Sequence, residues 1–170
     1  IDQLNSELEK LKPAHHGINV LPFLAGERAT GWSTSATGVL EGVRISTTPI
    51  EILQAMLESV AYRFAMVADL LLPGVKSGYQ MIASGGAIQN SPWWLQTMAD
   101  VLGVPIGVSA EQQDTSRGTA VLALNALGVW DSLDKYPAEI ADTYVPNLTI
   151  TEIYLVARER QNELYSRLLG

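Results

Sequence analysis

Between Gly85 and Asn90 the chain reads Gly-Gly-Ala-Ile-Gln-Asn, just after a strand-like run and just before Ser91-Pro92, a helix start. Glycines let a ligand approach the backbone closely and permit positive φ. Free N–H groups and the positive end of the following helix favour an anion such as phosphate. The same residues also read simply as a tight turn between two elements. Their spacing matches neither the Rossmann nor the P-loop glycine pattern, so those nucleotide folds are not supported. A second candidate is Glu27-Arg28, where the arginine offers a planar donor fork for phosphate or carboxylate. The alternative there is an exposed ion pair in a loop. Trp93 and Trp94 could stack on a ring, although adjacent tryptophans at a helix start also suit packing. His15-His16 before Gly17 reads as a solvated linker, and the chain's two histidines are too close together for a His-based metal site. Asp100 and Asp114 are acid/base residue types with nothing in the sequence around them to single them out. No Ser-His-Asp or paired-carboxylate arrangement is legible.

The elements that must position these residues follow from periodicity and punctuation. A helix is expected over 2–12, closed by Pro13. A short buried strand is expected at Ile18 to Leu21, then a long loop over 24–38, then a strand from Val39 to Ile45. Long ordered loops are often functional. Thr48-Pro49-Ile50-Glu51 places a cap, a proline and a glutamate at the positions of a capping box. The stripe Leu53, Met56, Leu57, Val60, Phe64, Val67 and Leu71 follows at helical spacing and is expected to face the core. Pro73-Gly74 ends that helix. Tyr79 to Ser84 reads as a buried strand, Ser91 to Leu102 as a helix closed by Gly103, and Pro105 to Val108 as a strand. Helices follow from about Ser116 to Leu127 and from about Ile150 to Leu169, with a turn-rich stretch between them. Strand–helix alternation argues for an α/β layered domain.

Composition narrows the class of function. Of 170 residues, 47% are apolar and 17% charged, which suits a folded core rather than disorder. The net charge of −7 argues against nucleic acid as a partner, because phosphate-backbone binding needs clustered Lys and Arg. There is no Cys, hence no disulfide, thiolate metal site or Cys nucleophile. No apolar run reaches the ~18–20 residues of a membrane span. A soluble, cytoplasmic protein with no membrane partner is expected. The chain begins Ile1-Asp2-Gln3-Leu4 inside a helical pattern, which reads as a piece of a longer protein.

Three stretches carry a family resemblance. Gly38, Leu40, Gly42-Val43, Glu51-Ile52 and Ala55-Met56-Leu57-Glu58 resemble, in order and spacing, the C-terminal signature of the FGGY carbohydrate kinases. Gly85-Gly86-Ala87 with Asn90, then Trp94-Leu95-Gln96, Ala99-Asp100 and Pro105, resemble that family's nucleotide-side loop and helix. Pro22-Phe23-Leu24-Ala25-Gly26-Glu27-Arg28 with Trp32 is most similar to gluconate kinases, and xylulose kinases carry a similar version. The ending, with Tyr154, Glu159-Arg160-Gln161 and Leu164-Tyr165, is also similar. One departure is Ser35-Ala36-Thr37-Gly38, where the family usually has Asp-Ala-Arg-Gly.

The resemblance implies an actin-like, ribonuclease-H-like ATPase fold, of which residues 1–170 would form part of the C-terminal domain. It implies ATP and Mg²⁺, with the γ-phosphoryl group passing to a hydroxyl of a sugar or sugar acid, leaning to gluconate, with xylulose or another pentulose as runner-up. Gly86 would lie against the α-phosphate through its backbone and Asn90 near the adenine end, while Gly85 and Ala87 shape the turn. That agrees with the anion-seeking loop read from the residues. The general-base aspartate, the first phosphate loop and most sugar contacts would lie upstream, so no catalytic or metal-binding residue is placed here. The chain alone is expected to lack kinase activity and to expose a sheet edge. A non-catalytic nucleotide- or partner-binding module and a dimerisation fragment are the rivals, and a homodimer is left open.

Overall fold

Thr48 fixes the start of the longest helix, and the rest of the chain is arranged around that helix. In the computed structural model, which describes residues 1–111, 113–133 and 136–170, the order of elements is as follows. Helix α1 (Asp2–Leu8) precedes strands β1 (Asn19–Leu21) and β2 (Val39–Glu41), and then helix α2 (Pro49–Leu71). Strand β3 (Met81–Ala83), the short helix α3 (Gly86–Gln89), helix α4 (Pro92–Leu102) and strand β4 (Ile106–Ser109) follow. Helix α5 (Asp114–Ala126), strand β5 (Ile140–Tyr144) and helix α6 (Leu148–Leu169) complete the chain.

The Thr48 hydroxyl accepts from the Glu51 N–H, and the Glu51 carboxylate accepts from the Thr48 N–H at 2.8 Å, so both halves of the capping box form. Ser91 caps α4 by accepting from the Trp94 N–H, and Gly103 closes it in the left-handed conformation. β1 and β2 form an antiparallel pair; β3 runs parallel to β4, which pairs antiparallel with β5. Gly42 shows why a signature glycine stands after β2. Its φ is +87°, and a Cβ there would collide with the carbonyl oxygen of Gly17.

Helices α2, α4 and α6 pack together, α2 and α6 against β1 and α4 against β4 and β5. Their shared core holds Ala61, Ala65, Met98, Ala99, Tyr154 and Ala157. A second cluster, Leu21, Phe23, Ala36 and Leu164, ties the long loop to α6. Ala36 therefore faces inward from the turn Ser35-Ala36-Thr37-Gly38.

Several expectations are corrected. Helix α1 stops at Leu8 rather than Lys12, and β2 stops at Glu41 rather than Ile45. The strand expected over 79–84 spans only Met81–Ala83 and is half exposed, with Ile82 facing out. Strand β5 lies in the stretch read as turns. Most of the stripe from Leu53 to Leu71 lies off the core face of α2, although Met56 packs on the cluster of Ile18, Val20 and Ala55. The buried residues are Gln54, Ala55, Glu58, Ser59, Ala61, Tyr62, Arg63 and Ala65, while Phe64 and Leu71 are exposed. Small side chains on that face let α4 and α6 approach closely, which the apolar periodicity does not reveal.

Candidate functional site

Strand β3 delivers the chain to Gly85, whose φ of +104° no side-chain-bearing residue adopts without strain. Residues 86–89, expected as part of a tight turn, form the single helical turn α3, with Asn90 as its C-cap. The Asn90 side chain closes this turn by donating from Nδ2 to the Gly86 carbonyl at 2.6 Å. The N–H groups of Gly86, Ala87 and Ile88 open the turn and donate to no described backbone carbonyl. A Cβ built on Gly85 would meet nothing within 4 Å, and one on Gly86 would meet only Asn90 Nδ2 at 3.8 Å. Among the described residues no packing therefore requires glycine at position 86; a Cβ there would make only an ordinary contact with Asn90.

The turn is braced from the sheet side. Gln89 Nε2 donates to the carbonyls of Ser109, the last residue of β4, and Glu111, just beyond it, at 3.0 and 3.2 Å. Gly85, Gly86 and Ala87 border a groove of about 830 Å³ whose other wall is the apolar face of α2, with Phe64, Val67 and Leu71. Asn90 lies at the opposite end of α3, away from this groove. The structure thus joins the four predicted residues in one turn, with the Asn90 side chain folded back onto Gly86.

The other candidates resolve into structural roles. Glu27 does not pair with Arg28, which is exposed. Its buried carboxylate forms an ion pair with Arg63 of α2 and accepts from the Tyr165 hydroxyl at 2.8 Å and the Thr30 N–H at 3.1 Å. The Arg63 guanidinium lies 5.0 Å from the ring centres of both Phe23 and Tyr165. Hydrogen bonding to Glu27 pushes the Tyr165 phenol above its usual range, with burial adding to the rise. Trp94 anchors packing, donating from Nε1 to the Leu57 carbonyl at 3.2 Å. Asp114 accepts from the Ser109 hydroxyl at 2.8 Å. Asp100 accepts from the Asn147 N–H at 2.7 Å and holds the start of α6.

His16 is no solvated linker. Its Nδ1 accepts from the Ile18 N–H at 3.0 Å, which leaves the ring proton on Nε2, 3.0 Å from Glu58. The fully buried Glu58 carboxylate also accepts from the Ala14 N–H, Gln54, and the hydroxyls of Tyr62 and Tyr154. Burial, together with the Glu58 charge, pushes both of these phenols far above their ordinary range. The sequence offered one signal for this hub, an acidic residue on the interior of a long helix, but its partners lie up to 96 positions away.

Known proteins share both the sequence and the shape. The family described as "FGGY family of carbohydrate kinases, C-terminal domain" matches residues 2–127. A glycerol kinase of Oleidesulfovibrio alaskensis is 33% identical over 155 residues, covering 88% of this chain and 31% of that protein. A gluconokinase of Bacillus subtilis is 29% identical over 143 residues, covering 84% of this chain and 28% of its own length. A xylulose kinase structure from Lactobacillus acidophilus superimposes with a TM-score of 0.87 at 24% identity, over 99% of this chain and 35% of the other. The expected actin-like ATPase fold of a C-terminal kinase domain is thereby shown. The chain spans about a third of the length of these proteins.

Proposed function

The chain belongs to the FGGY family of carbohydrate kinases, and we propose on that premise that it is the nucleotide-side portion of an ATP-dependent kinase. That kinase would pass the γ-phosphoryl group of ATP to a hydroxyl of a sugar or sugar acid. The observation that carries the reading is the bare backbone of Gly86 beside unpaired N–H groups. Where a packing glycine would be crowded, this one has only Asn90 Nδ2 within 4 Å among the described residues.

In this reading the α-phosphate rests against the Gly86 backbone, and Asn90 turns toward the adenine end. Gly85 supplies the positive φ that starts the turn, and Ala87 lines it. Phosphoryl transfer depends on position, charge neutralisation and an oriented nucleophile. This chain supplies position only. Among the described residues there is no cluster of three or more His, Asp or Glu that could hold a metal. No residue here is therefore assigned to the Mg²⁺ that accompanies the nucleotide. The 170 residues by themselves should turn over no ATP in the presence of sugar. The loop from Pro22 to Arg28 favours gluconate over xylulose as the acceptor. A cytoplasmic setting, with no membrane partner, belongs to the same reading; among the described residues, no helix is long and apolar enough to cross a membrane.

The test is calorimetric titration of MgADP into the intact protein that carries this chain, with Gly86→Val beside it. Valine places branched carbons where the phosphate would sit, and a loss of affinity of about tenfold or more is expected from the lost approach and hydrogen bonds. Equal affinities in the two proteins would refute the reading. A panel of gluconate, xylulose and glycerol as acceptors then decides the substrate.

A further inference from the structure

Asn5 stands on α1, 85 positions from the turn it touches, and is buried to 8% exposure. Its Nδ2 donates to the Asn90 carbonyl at 3.3 Å, and its Oδ1 accepts from the Ser91 hydroxyl at 2.7 Å. One planar amide therefore holds two consecutive residues. The Ser91 hydroxyl has a single proton. By giving it to Asn5, it is left with lone pairs for the Trp94 N–H and so caps α4 in a fixed rotamer. The Asn90 carbonyl held by Asn5 belongs to the residue whose side chain closes α3 on the Gly86 carbonyl. From the opposite side, Gln89 ties the same turn to the end of β4. The turn is thus strung between α1 and the sheet by two amide side chains.

We propose that Asn5 is a positioning residue for nucleotide binding, fixing the angle at which the Gly86–Asn90 turn leaves β3 and enters α4. The proposal rests on the reading of that turn as the nucleotide side. Asn5 itself touches no nucleotide. Its loss should let the Asn90 peptide rotate and spread the geometries that Gly86 and Asn90 present.

The experiment uses the intact protein and measures MgADP affinity, KM for ATP, KM for the acceptor, and kcat. Asn5→Ala removes both contacts. Asn5→Asp keeps the shape and the acceptor for Ser91, but sets an oxygen against the Asn90 carbonyl. Both should weaken MgADP binding and raise KM for ATP by about three- to tenfold, the size of one or two lost hydrogen bonds. The acceptor KM and kcat should stay within about twofold. A purely structural role would lower the active fraction, reducing kcat while leaving KM for ATP in place, and that result overturns the proposal. If Asn5→Ala does not fold, the near-isosteric Asn5→Asp decides alone. Unchanged ADP affinity in the Asn5 variants, alongside weakened binding in Gly86→Val, refutes the role of Asn5 and leaves the nucleotide reading intact. Absence of ADP binding by the unmodified protein removes both.

Discussion

Asp100 is buried where α4 meets the first turn of α6, and it gives the clearest pH-dependent behaviour at the level of a single residue. Burial pushes its carboxyl above the usual carboxylate range. The hydrogen bonds from Asn147 and Gln96 oppose that shift without cancelling it. The folded protein then holds this proton more tightly than the unfolded chain. The group's contribution to stability is full below the ordinary carboxylate pKa of about 4 and is lost as pH rises through the elevated value. Asp100→Asn should therefore gain Tm relative to the unmodified protein as pH goes from about 3.5 to 7. A difference that stays flat over that range would contradict the assignment. The sequence shows the residue type at position 100. It does not show that Asn147, 47 positions on, lies against it. The same holds for Glu27, which was expected in an exposed pair with Arg28 but is buried and pairs with Arg63 of α2.

At the scale of elements, α2 carries the lesson. Its start was legible because a capping box is local: Thr48 and Glu51 find each other within one turn. Its buried face was not. The face that packs is rich in Ala, Ser, Gln and Glu, whose partners come from distant segments, while Phe64, Val67 and Leu71, the C-terminal end of the apolar stripe, line the open groove. Glu58 explains how so polar a face is buried, since five donors from α2, α6 and the segment after α1 converge on one carboxylate. Glu58→Gln turns one oxygen into a donor facing other donors. A loss of about 3 kcal/mol is expected in urea unfolding, typical of a broken buried polar network. A loss below about 1 kcal/mol would mean that the hub contributes little. Strand β5 was missed for a related reason. Only its two end residues, Ile140 and Tyr144, are even partly buried, so the alternation that marks a strand is absent.

For the whole molecule, the telling surface is the outer edge of β3. Among the described residues that edge pairs with no strand, and beside it runs the groove walled by Phe64, Val67 and Leu71. An unpaired edge next to apolar surface promotes association between chains. The 170-residue chain should show an apparent mass that rises with concentration in light scattering. Ile82→Lys, at an exposed position of the edge strand, should move it toward a monomer. A concentration-independent mass for both would mean that the edge is inert. The resemblance had implied such an edge; periodicity alone had placed Tyr79 to Ser84 in the interior.

The hydrogen bond from Gln161 on α6 to the carbonyl of Val20 in β1 joins residues 141 positions apart. Asn19 answers it across the same distance by donating to the Arg160 carbonyl. Almost the whole chain must be gathered before these two segments meet, and that loop closure carries its entropy cost before any contact rewards it. These two bonds tie β1 to α6, so their central amides should show a common opening free energy in hydrogen exchange.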